Sequence, residues 1–236
     1  MKPLGKKSYG SIPHLPGSKL GPGDHHCHEG QGRIATEKTR DKHDFVIVQE
    51  KYDGSNVAVA NVGGNIIALT RSGYLAETSP FEQHHVFARW VKKNVHRFEF
   101  ILPGERLCGE WLLQAHGLKY GIPDEPFVAF DYFRDNKRLV YGEFVKLVEP
   151  FDFSTPQVVL FGHSAFSVDA ATERLFSNPT RWITSVEQPE GLIYRVERKG
   201  EVDFLCKWVR PDFIPGKYLP EISGSAAVFN FSESSL

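Results

Sequence analysis

The densest chemistry in this sequence lies at Glu50-Lys51-Tyr52-Asp53-Gly54-Ser55-Asn56, where a lysine follows an apolar run and precedes a glycine turn. A lysine amine is a poor nucleophile while protonated, and becomes a competent one where a bound metal or a second cation lowers its pKa. Gly54 lets the backbone turn close to a ligand with no side chain in the way. Read as chemistry, the stretch is a candidate amine nucleophile held beside a tight backbone turn. Read as plain structure, it is a surface turn in which Asp53 and Gly54 satisfy backbone geometry and Lys51 is solvated. These residues alone leave both readings open.

A nucleophile needs a rigid support, and the surrounding pattern supplies one. Phe45 opens the strand signal FVIVQEKYDG, which runs into the polar turn. VAVANVGGNIIALT then gives two β-branched runs across Gly63-Gly64, a hairpin signature. Ser79-Pro80-Phe81-Glu82 carries an N-cap serine, a proline at the first helical position and a glutamate at the third, so a helix is expected from there to about Phe98. Its apolar residues Val86, Phe87, Trp90, Val91, Val95 and Phe98 keep helical spacing. Further strands are expected in ERLCGEWLL, EPFVAFDYF, KRLVYG and VVLF, with a short helix at 168–176. The strands EGLIYRVE and DFLCKWVR close the series across a charged turn at Lys199-Gly200-Glu201. The class is α+β, dominated by strands. Residues 1–44, rich in Gly, Pro, His and charge, read as an irregular segment packed on the core; 45–215 form the domain and 216–236 a tail.

Five more short motifs follow the lysine in order, namely Arg71-Ser72-Gly73, Cys108-Gly109-Glu110-Trp111-Leu112, Phe127-Val128-Ala129-Phe130-Asp131, Glu190-Gly191-Leu192-Ile193-Tyr194 and Lys207-Trp208-Val209-Arg210. With the lysine stretch they span residues 51–210, about two thirds of the chain. In content and order they resemble motifs I, Ia, III, IIIa, IV and V of the covalent nucleotidyltransferases, the superfamily of ligases and capping enzymes. Asn56 stands where DNA ligases and capping enzymes typically carry Arg, and so directs the resemblance to the ATP-dependent RNA ligases of the Rnl2-like group. Lys7-Ser8-Tyr9-Gly10-Ser11-Ile12 is similar to a short Tyr/Ser segment near the start of that group.

The resemblance implies a nucleotidyltransferase domain of two antiparallel sheets with flanking helices and ATP in the cleft between them. Lys51 would attack the α-phosphate to give lysyl-AMP, the AMP would pass to an RNA 5′-phosphate, and a 3′-hydroxyl would displace it to seal the strand. Lys207 would stabilise the α-phosphate charge, with Arg210 a second candidate, because the family's usual second basic residue is replaced here by Val209. Glu190 would hold Mg2+ or Mn2+, a hard cation suited to carboxylate oxygen. Glu110 and Arg71 would hold the ribose hydroxyls, Phe127 would lie on the adenine face with Phe130 as core, and Glu50 and Asn56 would complete the nucleotide site. About 26 residues follow the last motif, too few for an oligonucleotide-binding barrel, so a minimal catalytic domain is expected. An end-healing kinase-phosphatase is a candidate partner. Two alternatives stay open: a ligase for nicked DNA or hybrid duplexes, or a nucleotide-binding module without catalysis.

Composition limits the rest. A net charge of -1 lacks the global basicity of a nucleic-acid coat protein, so RNA contact must be local, for instance at Lys2, Lys6, Lys7, Lys19, Lys92, Lys93 or Arg97. No run approaches the roughly 18 apolar residues of a membrane span, and three scattered cysteines fit a reducing, cytoplasmic setting. Asp24-His25-His26-Cys27-His28-Glu29 offers metal-type ligands, but structural zinc sites usually separate their ligand pairs. The segment is therefore expected as a polar loop near the site mouth.

Overall fold

The apolar alternation from Phe45 becomes the central strand of one sheet, and the β-branched hairpin after Lys51 opens a second. The computed structural model describes residues 1–177, 184–185 and 187–232. In chain order the elements are α1 (Glu29–Thr36), β1 (Asp44–Lys51), β2 (Ser55–Val62), β3 (Asn65–Thr70), α2 (Glu82–Lys93), β4 (Arg106–Trp111), β5 (Tyr120–Gly121), β6 (Phe127–Arg134), β7 (Lys137–Arg138), α3 (Tyr141–Val148), β8 (Val158–Gly162), α4 (Val168–Ser177), β9 (Thr184–Ser185), β10 (Gly191–Arg198), β11 (Glu201–Val209) and α5 (Pro220–Ser223). Strands β11-β10-β1-β8 form one antiparallel sheet, β3-β2-β4-β6-β7 a second, and β5-β9 a short ribbon. No helix among the described residues is long and apolar enough to cross a membrane. Cys27, Cys108 and Cys206 are all free thiols.

Each sheet buries one face under helices. On the four-stranded sheet, Val46, Val48, Leu192, Tyr194 and Val196 pack against Ala35 of α1 and Ala171 and Leu175 of α4. On the five-stranded sheet, Val57, Val59, Leu107, Trp111, Phe127 and Ala129 pack against Val86, Phe87, Trp90 and Val91 of α2 and Phe144 and Val148 of α3. The period of two along each strand sends the alternate residues to the opposite face. There Ala58, Ala60, Leu69 and Cys108 meet Tyr9, Leu4 and Ile12 of the N-terminal segment.

The chain passes from one sheet to the other through Tyr52-Asp53-Gly54, because β1 ends at Lys51 and β2 begins at Ser55. Gly54 is required there. A Cβ on it would stand 2.6 Å from the carbonyl oxygen of Trp111 and 2.8 Å from Leu112.

Three local expectations need correction. Helix α2 begins at Glu82 and ends at Lys93, with only a 3-10 turn over Val95–Phe98. The Ser79 hydroxyl accepts the Phe81 N–H at 3.3 Å and meets His84 Nδ1 at 2.6 Å, so it closes a turn ahead of the helix instead of capping it. In KRLVYG only Lys137 and Arg138 pair as strand; Asp135 and Asn136, both with positive φ, make a tight turn, and the chain then winds into α3. Within the N-terminal segment, α1 was not expected, since EGQGRIAT has two glycines and weak helix propensity. It is held by a capping box on His28, whose Nδ1 accepts the Gly30 N–H at 3.1 Å, and by burial of Ala35. The last four residues of the expected tail lie outside the described residues.

Candidate active site

A cavity of about 410 Å³ opens between the two sheets, walled by Lys51, Ile193, Arg195, Leu205 and Lys207 on one side and Asn56, Glu110, Phe130 and Asp131 on the other. Lys51 lies at the crossing point. Its register partner on β10 is Gly191, which brings Glu190 alongside. Gly191 is itself required, since a Cβ there would fall 1.9 Å from the Trp208 carbonyl oxygen.

Lys51 Nζ is 2.5 Å from Glu190 Oε2. Glu110 Oε1 accepts the Gly54 N–H at 3.1 Å, and Asp53 Oδ2 accepts the Gly117 N–H at 2.5 Å, so three carboxylates surround one amine. Burial pushes the Glu190 carboxyl up to about 8, against the pull of the Lys51 charge and with a further push from Asp53. Glu110 is raised to about 7 by the same balance. Burial alone would lower the Lys51 ammonium, but Glu190, Glu110 and Asp53 outweigh it and hold it above the ordinary lysine value. At 2.5 Å the two groups titrate as a pair, and a charge-assisted contact of that length favours ammonium facing carboxylate. Lys51 thus rests in its protonated, non-nucleophilic form.

Lys207 enters the cavity from β11. Burial lowers its pKa, and repulsion from Lys51 adds to that. Asn56 also lines the cavity, and its buried Oδ1 has no hydrogen-bond partner, an acceptor left open for a ligand's donor. Glu50 is buried in the cavity wall. Arg71 sits at the rim, where its guanidinium donates to Gly10 O at 3.3 Å and Ser11 Oγ at 3.2 Å and ties down the N-terminal segment.

Two residues expected in the nucleotide site lie elsewhere. Phe127 is fully buried on the helix side of the sheet, with ring centroids 5.3 Å from Trp90 and 5.9 Å from Phe87. Phe130, expected as core, faces the cavity instead. Strand alternation carries both placements: Phe127 and Ala129 face the helices, so Val128 and Phe130 face the other way. A β-bulge follows, in which Gly109 pairs with Ala129 and Cys108 with Asp131; it breaks the alternation after Phe130 and puts Asp131 on the cavity side as well. Arg210 lies outside the cavity lining; its Nε donates to Pro189 O at 3.1 Å and its Nη1 meets Asp212 Oδ2 at 2.7 Å.

Among the described residues no three His, Cys, Asp or Glu side chains converge as a ligand set. His28 caps α1, and Asp24 turns toward Lys207 at 3.4 Å. Of the candidate RNA contacts, Arg97 is committed to Glu125 and to the carbonyls of Phe151 and Asp152.

Sequence reading missed Ile193, Leu205, Arg195 and Asp131. The first two were within reach, because Ile193 lies two residues after Gly191 and Leu205 two before Lys207, and strand alternation puts them on the cavity face. Asp131 and Arg195 form a buried pair that joins the two sheets, with Arg138 Nε at 3.0 Å and Tyr9 Oη at 2.6 Å on the same carboxylate. Burial raises the Asp131 pKa, but Arg195 and Arg138 outweigh it, so it lies below the usual carboxylate value. A carboxylate depressed in the folded state stabilises it above the unfolded value and loses that contribution as pH falls through the folded one. Asp131→Asn should therefore cost about 3–5 kcal/mol at neutral pH by leaving a buried guanidinium uncompensated. Urea melts at pH 7 and pH 3 should show this gap narrowing in acid; an equal gap at both would refute the charge argument.

Comparison with known proteins gives the same outline. The RNA ligase family model matches residues 44–209, from the start of β1 to the end of β11. A point mutant of the Naegleria gruberi RNA ligase, solved with ATP and Mn, aligns at TM-score 0.50 and 17% identity over 86% of this chain and 61% of its own. Two forms of an archaeal ATP-dependent RNA ligase align at TM-scores of 0.46 and 0.48 with 20% and 18% identity, over 70% and 85% of this chain and 42% and 48% of theirs. The chain thus spans about half the length of these ligases. At such identities the likeness concerns the fold. A search of curated proteins finds no match.

Proposed function

Because the chain belongs to the RNA ligase family, we propose that it is an ATP-dependent RNA ligase of the Rnl2-like group that captures AMP on Lys51. The observation that carries this reading is the meeting of Lys51, Glu110 and Lys207 at one cavity between two sheets, with Glu190 2.5 Å from the Lys51 amine. Once its ammonium has given up one proton to solvent, Lys51 Nζ attacks the α-phosphorus of ATP; a P–N bond forms, the bond to the pyrophosphate oxygen breaks so that pyrophosphate leaves, and a second proton passes from Nζ to solvent. Lys207 offers a positive charge to the α-phosphate oxygens as negative charge builds there.

The cavity suits an adenosine. Phe130 from one sheet and Ile193 from the other offer apolar faces to a base, while Glu110, Asn56 and Arg71 supply acceptors and donors for the ribose or the base edge. Glu190 suits a divalent cation, because it is a buried carboxylate beside the amine, and Mg2+ is usually held by one or two carboxylates plus substrate phosphate. When bound, Mg2+ or Mn2+ neutralises phosphate charge and lowers the pKa of a neighbouring amine. The acceptor in this reading is an RNA 5′-phosphate, joined to a 3′-hydroxyl after AMP transfer, and an end-healing kinase-phosphatase is the partner that would prepare such ends.

The test is incubation with ATP labelled at the α-phosphate, Mg2+ or Mn2+ and no nucleic acid. Wild-type protein should carry label that resists denaturation, is released by acid and is absent from Lys51→Ala. Unlabelled wild type, with mass spectrometry excluding prior adenylylation, would overturn the reading.

A further inference from the structure

The position where a second basic residue would follow Lys207 is Val209, and its side chain is buried beside Tyr52, Leu112 and Phe213, away from the cavity. The space next to Lys207 is filled by another residue type from a distant part of the chain. Residues 13–15 add to the edge of β11: Lys207 N–H donates to Pro13 O at 2.9 Å and Leu15 N–H to Lys207 O at 2.8 Å. His14 and Lys207 are register partners in this parallel bridge, which puts their side chains on the same face.

His14 is 1% exposed, and its ring is oriented from behind. Ser18 Oγ accepts the Val209 N–H at 2.9 Å, which leaves the hydroxyl hydrogen for His14 Nδ1 at 2.6 Å. The proton of the neutral ring then falls on Nε2. Nε2 lies 3.0 Å from Asp24 Oδ2 but without the alignment of a hydrogen bond, so its N–H is left without a partner. The other oxygen of Asp24 lies 3.4 Å from Lys207 Nζ. One carboxylate therefore bridges a lysine ammonium and a buried imidazole N–H, two donors suited to a phosphate group.

We propose that His14 and Lys207 together form an anion subsite for the phosphates of the nucleotide, and that Asp24 occupies it as an internal competitor that the nucleotide displaces. The assignment rests on the ATP-dependent reading above and adds a residue and a gate to it. The loop carrying Asp24 is suited to such movement. Gly21, Gly23 and Asp24 form a turn held by the Gly21 N–H to Asp24 Oδ2 contact at 3.1 Å, and His25 and His26 beyond it are exposed. The backbone bonds from His14 N–H to His25 O and from Cys27 N–H to His14 O anchor the loop's far end, so Asp24 can leave while the segment stays attached.

A self-occupied site binds its ligand more weakly by the fraction of molecules in which it is open. If Asp24 fills the subsite in about nine molecules of ten, Asp24→Asn tightens binding roughly tenfold. The experiment is calorimetric titration with inorganic pyrophosphate, in EDTA, of wild type, Asp24→Asn and His14→Asn, each checked by circular dichroism. Hydrogen exchange of residues 21–27 is followed alongside in wild type. Expected are tighter binding by Asp24→Asn, weaker binding by His14→Asn, and faster exchange of the loop when pyrophosphate is bound. Unchanged or weaker binding by Asp24→Asn, or slower loop exchange, would overturn the proposal, since Asp24 would then be orienting Lys207. The exchange measurement decides if either variant fails to fold. The α-labelling assay on wild type separates this outcome from failure of the ligase reading: label without the Asp24 effect sinks only the gate, and no label sinks both.

Discussion

Lys207→Ala is expected to slow transfer of AMP onto Lys51 by about 100- to 1,000-fold, the usual loss when one preorganised donor to a developing oxyanion is removed. The side chain projects from β11 into the cavity, with 16% of its surface exposed. Its removal opens no hole in either apolar core, so the melting temperature should stay near that of wild type. Because Lys207 acts on charge that grows as pyrophosphate departs, the deficit should fall mainly on the rate at saturating ATP. Single-turnover labelling with α-labelled ATP over a range of ATP concentrations measures both quantities. A variant that labels at close to the wild-type rate would remove Lys207 from the reaction.

The second large effect separates two phenylalanines three residues apart. Phe127→Ala should destabilise the protein by about 3–5 kcal/mol, because it empties a site enclosed by Phe87, Trp90, Trp111 and Phe153. Phe130→Ala should leave most of the stability in place and weaken ATP binding by roughly ten- to a hundredfold, as loss of an aromatic stacking surface does. Denaturant melts and ATP titrations of both variants give four values, and the assignment fails if Phe127→Ala is the variant with the binding defect. The motif-based expectation gives the opposite result, so the pair also tests which face of β6 the helices cover.

That reversal marks where sequence reading stops. Motif order brought Lys51, Glu110, Glu190 and Lys207 into view because each sits on or beside a strand whose hydrophobic pattern is plain. The structure brings all four to one place. Strand existence was similarly legible: the glycine hairpin and the charged turn at Lys199-Gly200 appear where turn chemistry demands, with Gly63, Gly64, Lys199 and Gly200 all at positive φ. Phe127 and Phe130 were exchanged because alternation separates the two faces of β6 without saying which one the helices cover; the bulge that adds Asp131 to the cavity face depends on pairing with β4, which no local pattern records. Arg210 was drawn in by nearness to Lys207 in sequence, yet it lies past the end of β11 and turns to Pro189 and Asp212. Helix α1 escaped notice because packing and a histidine cap sustain it in place of propensity. His14 was invisible for a further reason, since its contacts are to β11 and Asp24 and nothing near it in sequence signals either.

The short crossing from β1 to β2 has a mechanical consequence. Lys51 stands at the last position before the chain leaves one sheet for the other, and the Asp131–Arg195 pair bolts the same two sheets together across the cavity floor. In the proposed reaction the nucleophile is thus mounted on the hinge itself. Any rocking of one sheet against the other would swing Lys51 and Lys207 together relative to Glu110, and the bolt resists that rocking. Capture and release of the nucleotide must then fall to the peripheral segments, while the jaws that aim the amine hold still.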